Sequence, residues 1–184
     1  MKVYITRELP EIAFKLLKQH KIPFEYYKKD QPIPRKILLN KIKSCDALIS
    51  LLTERIDKEA IDLMSDCQII ANYAVGYNNI DVEYAKKKNI IVTNTPNVLT
   101  ESTADLTMAL VLSCARRISE GEKLIRRGKF KGWKPKLLLG MELRDKNFGI
   151  LGAGRIGCAV AKRAGSFGTN ILYTDQKQNK GIEK

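Results

Sequence analysis

Three glycines and one carboxylate between residues 148 and 175 have the spacing of a dinucleotide-binding site. Gly152, Gly154 and Gly157 form the pattern GxGxxG directly after an apolar run of strand length. In such a turn the first glycine permits the tight turn, the second lets the backbone approach a pyrophosphate, and the third lets the next helix pack closely. Asp175 ends the following apolar run, where a carboxylate can accept hydrogen bonds from an adenosine ribose and repel a 2′-phosphate.

The elements around these residues make the pattern specific. A lone GxGxxG is weak, because three glycines at this spacing also occur in flexible loops. Here residues 148–151 predict a strand, the apolar spacing after Gly157 predicts a helix, and residues 171–174 predict a second strand. The unpaired N–H groups and dipole of that helix N-terminus would stabilise phosphate charge. We therefore expect NAD, with NADP disfavoured by Asp175.

Cysteine and histidine usage argues against a metal centre or a disulfide framework. The chain has one histidine and no C-x-x-C pair. We expect reduced thiols at all four cysteines, which are Cys45, Cys67, Cys114 and Cys158. No apolar run reaches the length of a membrane helix, and the N-terminus enters a predicted strand directly, so the predicted compartment is the cytoplasm.

One basic segment stands out in a chain with 33 Lys and Arg against 20 Asp and Glu, a net charge of +13. Residues 126–136, RRGKFKGWKPK, hold six basic residues, no acidic residue, and the aromatic pair Phe130 and Trp133. This pattern is typical of a segment that contacts phosphates and stacks on bases. The alternative is a basic connecting loop whose aromatics anchor it to its own protein or to a partner subunit. We favour the loop, because no nucleic-acid-binding signature surrounds the segment.

The first hundred residues alternate between predicted strands and helices. Apolar runs predict strands at 2–6, 23–27, 46–51, 68–73 and 90–93. Helical spacing lies between them, and Asp57 is placed to cap the helix that runs through Leu63. Such alternation predicts a parallel sheet covered on both faces.

A long helix is predicted to begin near Glu101, capped by Thr100 or Ser102, and to continue through Arg127. Its part at 104–118 is apolar on nearly every side, so we expect it to be buried on every side, with a partner subunit covering the second side.

Four motifs in order resemble the D-isomer-specific 2-hydroxyacid dehydrogenases, closest to the glyoxylate and hydroxypyruvate reductases. They are NYAVGYNNID at 72–81, VTNTP at 92–96, TESTAD at 100–105 with ARR at 115–117, and the glycine fingerprint. The resemblance implies an α/β fold with a flavodoxin-like parallel-sheet substrate domain at 1–98, followed by the start of a Rossmann NAD-binding domain at 99–184. It also implies an active site in the cleft between the domains and a homodimer through the helix around 104–118.

The same resemblance assigns roles to individual residues. Backbone N–H groups of Val75 and Gly76 would bind the small 2-keto acid, such as glyoxylate or hydroxypyruvate, and Leu52 would line its pocket. Thr103 would contact the nicotinamide half of NAD, and residues 155–156 would offer N–H groups to the pyrophosphate. Three alternatives stay open: Leu52 as core, Thr103 as an ordinary first-turn helix residue, and Gly76 as a turn glycine.

The family's catalytic arginine, glutamate and histidine have no counterpart among residues 1–184, so we expect an N-terminal fragment without catalytic residues of its own. His20 is expected on the surface, remote from the site. The fragment would keep the binding positions named above, including Arg155 and Ile156. The alternative function is a non-catalytic dinucleotide-binding or interaction module.

Overall fold

The first of two compact units spans Met1–Pro96 and is built on a five-stranded parallel sheet. The computed structural model describes residues 1–183. The strands are β1 (Val3–Ile5), β2 (Phe24–Tyr26), β3 (Ala47–Ser50), β4 (Ile69–Asn72) and β5 (Ile91–Thr93). The helices are α1 (Glu11–Gln19), α2 (Arg35–Lys41), α3 (Lys58–Asp62) and α4 (Val82–Lys87), with a 3-10 turn at Ile42–Ser44.

The strand order β2-β1-β3-β4-β5 is the flavodoxin-like order, with every neighbouring pair parallel. Alternate side chains enter two separate hydrophobic clusters, one on each face of the sheet. Tyr4, Leu48 and Ile70 pack with residues of α2, α3 and α4 on one face. Val3 and Ile5 pack with residues of α1 on the other. Helices therefore pack on both faces and the α/β prediction is confirmed, although the face that carries α1 is only partly covered, since Ile91 of β5 is 61% exposed.

The predicted cap of α3 is also confirmed. Asp57 Oδ1 accepts a hydrogen bond from the Ala60 N–H at 3.2 Å. The same carboxylate pairs with Arg35, whose guanidinium lies 2.5 Å away. One side chain thus begins α3 and ties it to the start of α2.

The second unit begins at Asn97 and contains one complete strand–helix–strand crossover. Its elements are α5 (Thr100–Ala115), α6 (Ile118–Arg126), β6 (Asn147–Leu151), α7 (Arg155–Gly165) and β7 (Asn170–Thr174). Strands β6 and β7 are parallel neighbours with α7 between them in sequence. Helix α5 packs on α7 through a small apolar cluster of Ala104, Met108, Val160 and Ala164. This is the first βαβ unit of a Rossmann domain, as predicted.

The prediction of one continuous helix through Arg127 is wrong. Helix α5 ends at Ala115, Arg117 adopts a left-handed conformation with φ of 55°, and α6 follows. A distant loop packs at the break, where the Met141 N–H donates to the Ala115 carbonyl at 2.7 Å. A Cβ at Gly140 would lie 2.4 Å from that carbonyl oxygen, so only glycine fits at this crossing.

The predicted caps of α5 are wrong as well. Thr100 is the first helical residue, Leu99 takes the cap position, and no side chain caps the helix. The Ser102 hydroxyl instead donates back to the Leu99 carbonyl at 3.2 Å. A serine inside the first turn satisfies its own donor in this way and leaves the N–H groups of the turn uncapped.

Helix α5 buries one side only within this chain. Leu106 and Leu110 are 60% and 59% exposed on the side away from α7. Among residues 1–183, no helix, α5 included, combines the length and the hydropathy needed to cross a membrane.

Candidate functional site

The segment that follows β4 is fixed by its carbonyl groups. The Ala74 carbonyl accepts from the Thr95 N–H at 2.9 Å, and the Val75 carbonyl accepts from Asn94 Nδ2 at 2.8 Å. Asn72 Nδ2 donates to the Gly76 carbonyl at 2.8 Å. Across residues 1–183, the N–H groups of Val75 and Gly76 donate to no protein acceptor. The arrangement therefore offers two adjacent amide donors at the carboxyl edge of a parallel sheet.

A network of polar side chains holds this edge, and sequence reasoning missed it. Ser50 and Asn72 end β3 and β4 as register partners, and Ser50 Oγ donates to Asn72 Oδ1 at 3.0 Å. Asn79 Nδ2 donates to the carbonyls of Leu51 and Glu54 at 3.0 and 2.9 Å. The sequence does contain a signal for this network, because a polar residue, Ser50 or Asn72, ends the apolar run of each of these two strands.

Leu52 lies in the turn after β3 and is 65% exposed, which excludes the alternative that it is core. Glu54 Oε2 accepts from the Leu51 N–H at 2.8 Å and from Thr6 Oγ1 at 2.7 Å, so the turn is anchored below the exposed side chain. Gly76 has no positive φ, and a Cβ there would meet no atom within 4 Å. The turn conformation does not require this glycine, but the open space beside it would let a ligand approach the backbone.

In the second unit, the glycines of the fingerprint differ in what their surroundings demand. Gly152 has a φ of 93°, a left-handed conformation that favours glycine. A Cβ at Gly157 would lie 2.2 Å from the Gly152 carbonyl oxygen and 3.3 Å from Ile150 Cγ2. A Cβ at Gly154 would meet nothing within 4 Å. The first and third glycines thus shape the turn, and the second leaves space over it.

Helix α7 begins with its amide donors uncapped. Gly154 occupies the cap position without a side-chain hydrogen bond. In the part of the chain that the structure describes, the N–H groups of residues 154–157, which include Arg155 and Ile156, donate to no protein acceptor. Four orphan donors at the positive end of a helix dipole suit a pyrophosphate. The residues present fit a dinucleotide at this turn.

Asp175 has a contact that the sequence did not reveal. Its Oδ2 accepts from the Ala153 N–H at 2.6 Å, and its Oδ1 accepts from the Gln176 N–H at 2.6 Å. The carboxylate is exposed and an ionised carboxylate has about four acceptor positions, so two remain for a ribose. Asp175 therefore ties the end of β7 to the glycine turn.

Thr103 lies in the first turn of α5 and is half-buried. Its carbonyl accepts from Thr107 Oγ1 at 2.8 Å. This contact belongs to an ordinary helix turn, so the nicotinamide contact of Thr103 stays a prediction.

His20 is exposed at the C-terminal end of α1. Helix α1 starts beyond the carboxyl end of β1 and runs back to the amino edge of the sheet before β2. His20 thus lies at the edge of the sheet opposite Val75 and Gly76. It cannot donate a proton to a ligand bound by these two amides.

Known proteins resemble the whole chain. The sequence profile of the D-isomer specific 2-hydroxyacid dehydrogenase catalytic domain matches residues 3–184. A glyoxylate reductase of Pyrococcus horikoshii is 47% identical over 100% of this chain and 56% of its own length. A second glyoxylate reductase, of Korarchaeum cryptofilum, is 45% identical over 100% of this chain and 55% of its own length. The chain therefore spans little more than half the length of these relatives.

Two solved structures resemble this chain over nearly its whole length. The TT0316 protein of Thermus thermophilus superposes with a TM-score of 0.93 at 41% identity, covering 98% of this chain and 58% of that one. A Polaromonas protein described as an NAD-binding 2-hydroxyacid dehydrogenase gives 0.88 at 33% identity, covering 99% and 57%. The motif resemblance is confirmed, and the chain belongs to the D-isomer specific 2-hydroxyacid dehydrogenase family.

Proposed function

We propose that this chain is the N-terminal part of an NAD(H)-dependent oxidoreductase that interconverts a small 2-keto acid and its D-2-hydroxy acid. Glyoxylate and hydroxypyruvate are the substrates we favour. The observation that carries the proposal is the pair of unpaired N–H groups at Val75 and Gly76, held by carbonyls that are all hydrogen-bonded. Such donors can bind the carboxylate or keto oxygen of a 2-keto acid.

Each unit has its own task in this proposal. The first, as the substrate domain at 1–98, binds and orients the keto acid through residues 75–76, with Leu52 beside it. The second, as the start of the NAD-binding domain at 99–184, binds the pyrophosphate at residues 154–157 and the ribose at Asp175. When bound, NADH supplies the hydride.

Protonation of the substrate oxygen needs a general acid close to it. The single histidine lies at the edge of its sheet opposite residues 75–76, so it is not that group. We assign two tasks to the family's arginine, glutamate and histidine: protonation of the substrate oxygen and neutralisation of the substrate carboxylate. These residues would lie in the part of the relatives that this chain does not cover. General acid catalysis typically contributes about 10²- to 10⁴-fold, so residues 1–184 alone should be inactive.

We further propose a cytoplasmic homodimer that covers the exposed side of α5. The apolar side chains of Leu106 and Leu110 support this proposal, because a row of exposed leucines one helical turn apart is costly in water.

Turnover assays test the function. The chain as it stands should not oxidise NADH with glyoxylate or hydroxypyruvate, and the chain extended to the length of its relatives should. In the extended chain, Gly76→Val should raise KM by filling the open space beside the amide donors, and Gly76→Ala should leave stability unchanged, since a Cβ there meets no protein atom. Oxidation of NADH at an enzyme-like rate by residues 1–184, abolished by Gly76→Val, would overturn our assignment of the catalytic groups.

The second candidate is a non-catalytic interaction module, and one observation favours it. Phe130 and Trp133 are 51% and 83% exposed, so they do not anchor the basic segment to its own chain. An extended chain that folds and binds NAD, yet reduces no 2-keto acid, would select this alternative.

A further inference from the structure

Cys45 and Cys67 lie side by side, just before the neighbouring strands β3 and β4. Each lies two residues before a register pair of β3 and β4, Ala47 and Ile69. Between the cysteines and these strands, the Gln68 N–H donates to the Asp46 carbonyl at 2.8 Å, so the two segments stay joined. Each thiol donates to a backbone carbonyl of its own segment, Cys45 to Ile42 at 3.5 Å and Cys67 to Ile69 at 3.4 Å.

Both side chains also enter the same hydrophobic cluster on the same face of the sheet. Cys45 is 1% exposed and Cys67 is 6% exposed. Neighbouring strands lie about 4.8 Å apart, within the span of about 4.4–6.8 Å between Cα atoms that a disulfide bridges. The backbone therefore needs little movement to join the two sulfurs.

We propose that Cys45 and Cys67 form a reversible intramolecular disulfide when the protein meets hydrogen peroxide or a similarly small hydroperoxide. In the first step the Cys67 thiolate attacks a peroxide oxygen, the O–O bond breaks, and Cys67 becomes a sulfenic acid as peroxide is reduced to water. In the second step the Cys45 sulfur attacks the Cys67 sulfur, and a second water leaves with the thiol proton. Two thiols and one peroxide thus yield one disulfide and two waters.

The environment selects Cys67 as the first sulfur to react. The neighbouring Cys45 side chain lowers the pKa of the Cys67 thiol, although burial opposes this effect. The neighbouring Cys67 side chain, together with burial, raises the pKa of Cys45. Cys67 is also the more exposed of the two. A water-sized oxidant is required, because a bulky disulfide reagent would have to enter the core.

The bond would close the chain between residues 45 and 67, which includes α3 and the turn that presents Leu52. The remaining cysteines differ, since Cys114 is exposed and Cys158 is half-buried, and each lies in the second unit. They would react separately from the pair.

The test uses residues 1–184 with Cys114→Ser and Cys158→Ser, so that only the pair remains. After peroxide treatment of the folded protein, both thiols should be lost, the mass should fall by about 2 Da, and one peptide should link residues 45 and 67. The midpoint of thermal unfolding should rise by roughly 5 °C or more and return after reduction, because the bond constrains the unfolded chain.

A Cys45→Ser variant in the same background is the matched control. It should trap a sulfenic acid at Cys67, with no fall of about 2 Da. The proposal is overturned if both thiols of the folded parent survive peroxide, if Cys67 stops at sulfenic or sulfinic acid with Cys45 present, or if linkage appears only in denaturant. Circular dichroism of each variant confirms that a folded chain is compared.

Discussion

Replacing Gly157 by alanine should disrupt the glycine turn through one contact. The new Cβ would lie 2.2 Å from the Gly152 carbonyl oxygen and 3.2 Å from its carbonyl carbon. Both atoms belong to the backbone of a turn that Asp175 and the end of β7 hold in place. The contact cannot be relieved by a side-chain rotation, so either α7 or the turn must move.

The magnitude follows from two opposing effects. Overpacking against well-fixed atoms costs about 1–3 kcal/mol, and a backbone contact belongs in the upper part of that range, about 2–3 kcal/mol. Alanine in a helix gains about 0.5–1 kcal/mol over glycine. We therefore expect Gly157→Ala to lower the free energy of unfolding of the second unit by about 2 kcal/mol.

Gly165→Ala is the matched control in the same helix. A Cβ at Gly165 would meet no atom within 4 Å, so this variant should gain about 0.5–1 kcal/mol. Urea unfolding followed by circular dichroism measures both changes, and hydrogen exchange of peptides from residues 147–174 localises them. If Gly157→Ala is as stable as Gly165→Ala, the close approach of α7 to the turn is refuted.

Three further predictions concern single features. Desolvation raises the pKa of Asp57, but hydrogen bonds from Arg35 and the Ala60 N–H outweigh it and leave that pKa lowered. Its stabilising effect is thus present above the unfolded value of about 3.9 and lost as pH falls through the lower folded pKa, so Asp57→Asn should flatten the acid limb of stability measured by urea unfolding at several pH values. In the extended chain, Asp175→Ala should weaken NAD binding and reduce the ratio of NAD affinity to NADP affinity, both measured by calorimetry. A parent protein that binds NAD and NADP equally would contradict this. The basic segment at 126–136 should not bind short oligonucleotides in a mobility shift, whereas salt-sensitive binding lost when Arg126, Arg127, Lys129 and Lys131 become alanine would favour the interaction module.

Local patterns predicted the elements that local forces determine. The apolar runs located all five strands of the first sheet, and the signal is most continuous in the central strands β1, β3 and β4, whose residues are mostly buried. Asp57 was recognisable as a cap because its side chain bonds only three residues ahead. The GxGxxG pattern was recognisable because the conformation of Gly152 and the close contact of Gly157 both arise within the same short turn.

Long-range contacts account for what the sequence did not reveal. At the break after Ala115, the carbonyl at the helix end accepts from the N–H of Met141, and nothing near Ala115 in the sequence signals this contact. The support of residues 75–76 comes partly from Asn72, four residues before Gly76, and partly from Asn94, 19 residues after Val75. Only the sheet register brings these groups together.

We propose that Asp175 selects NAD, and its bond to the Ala153 N–H would then link cofactor choice to the rigidity of the glycine turn. Suppose that this carboxylate is removed so that the site can accept a 2′-phosphate. The change would also release the Ala153 N–H, which holds the glycine turn to β7. Weaker binding of every dinucleotide would then mask any gain for NADP. Asparagine at this position keeps a neutral acceptor for Ala153 while it removes the charge, so a redesign of cofactor preference should begin from Asp175→Asn and add a cation afterwards.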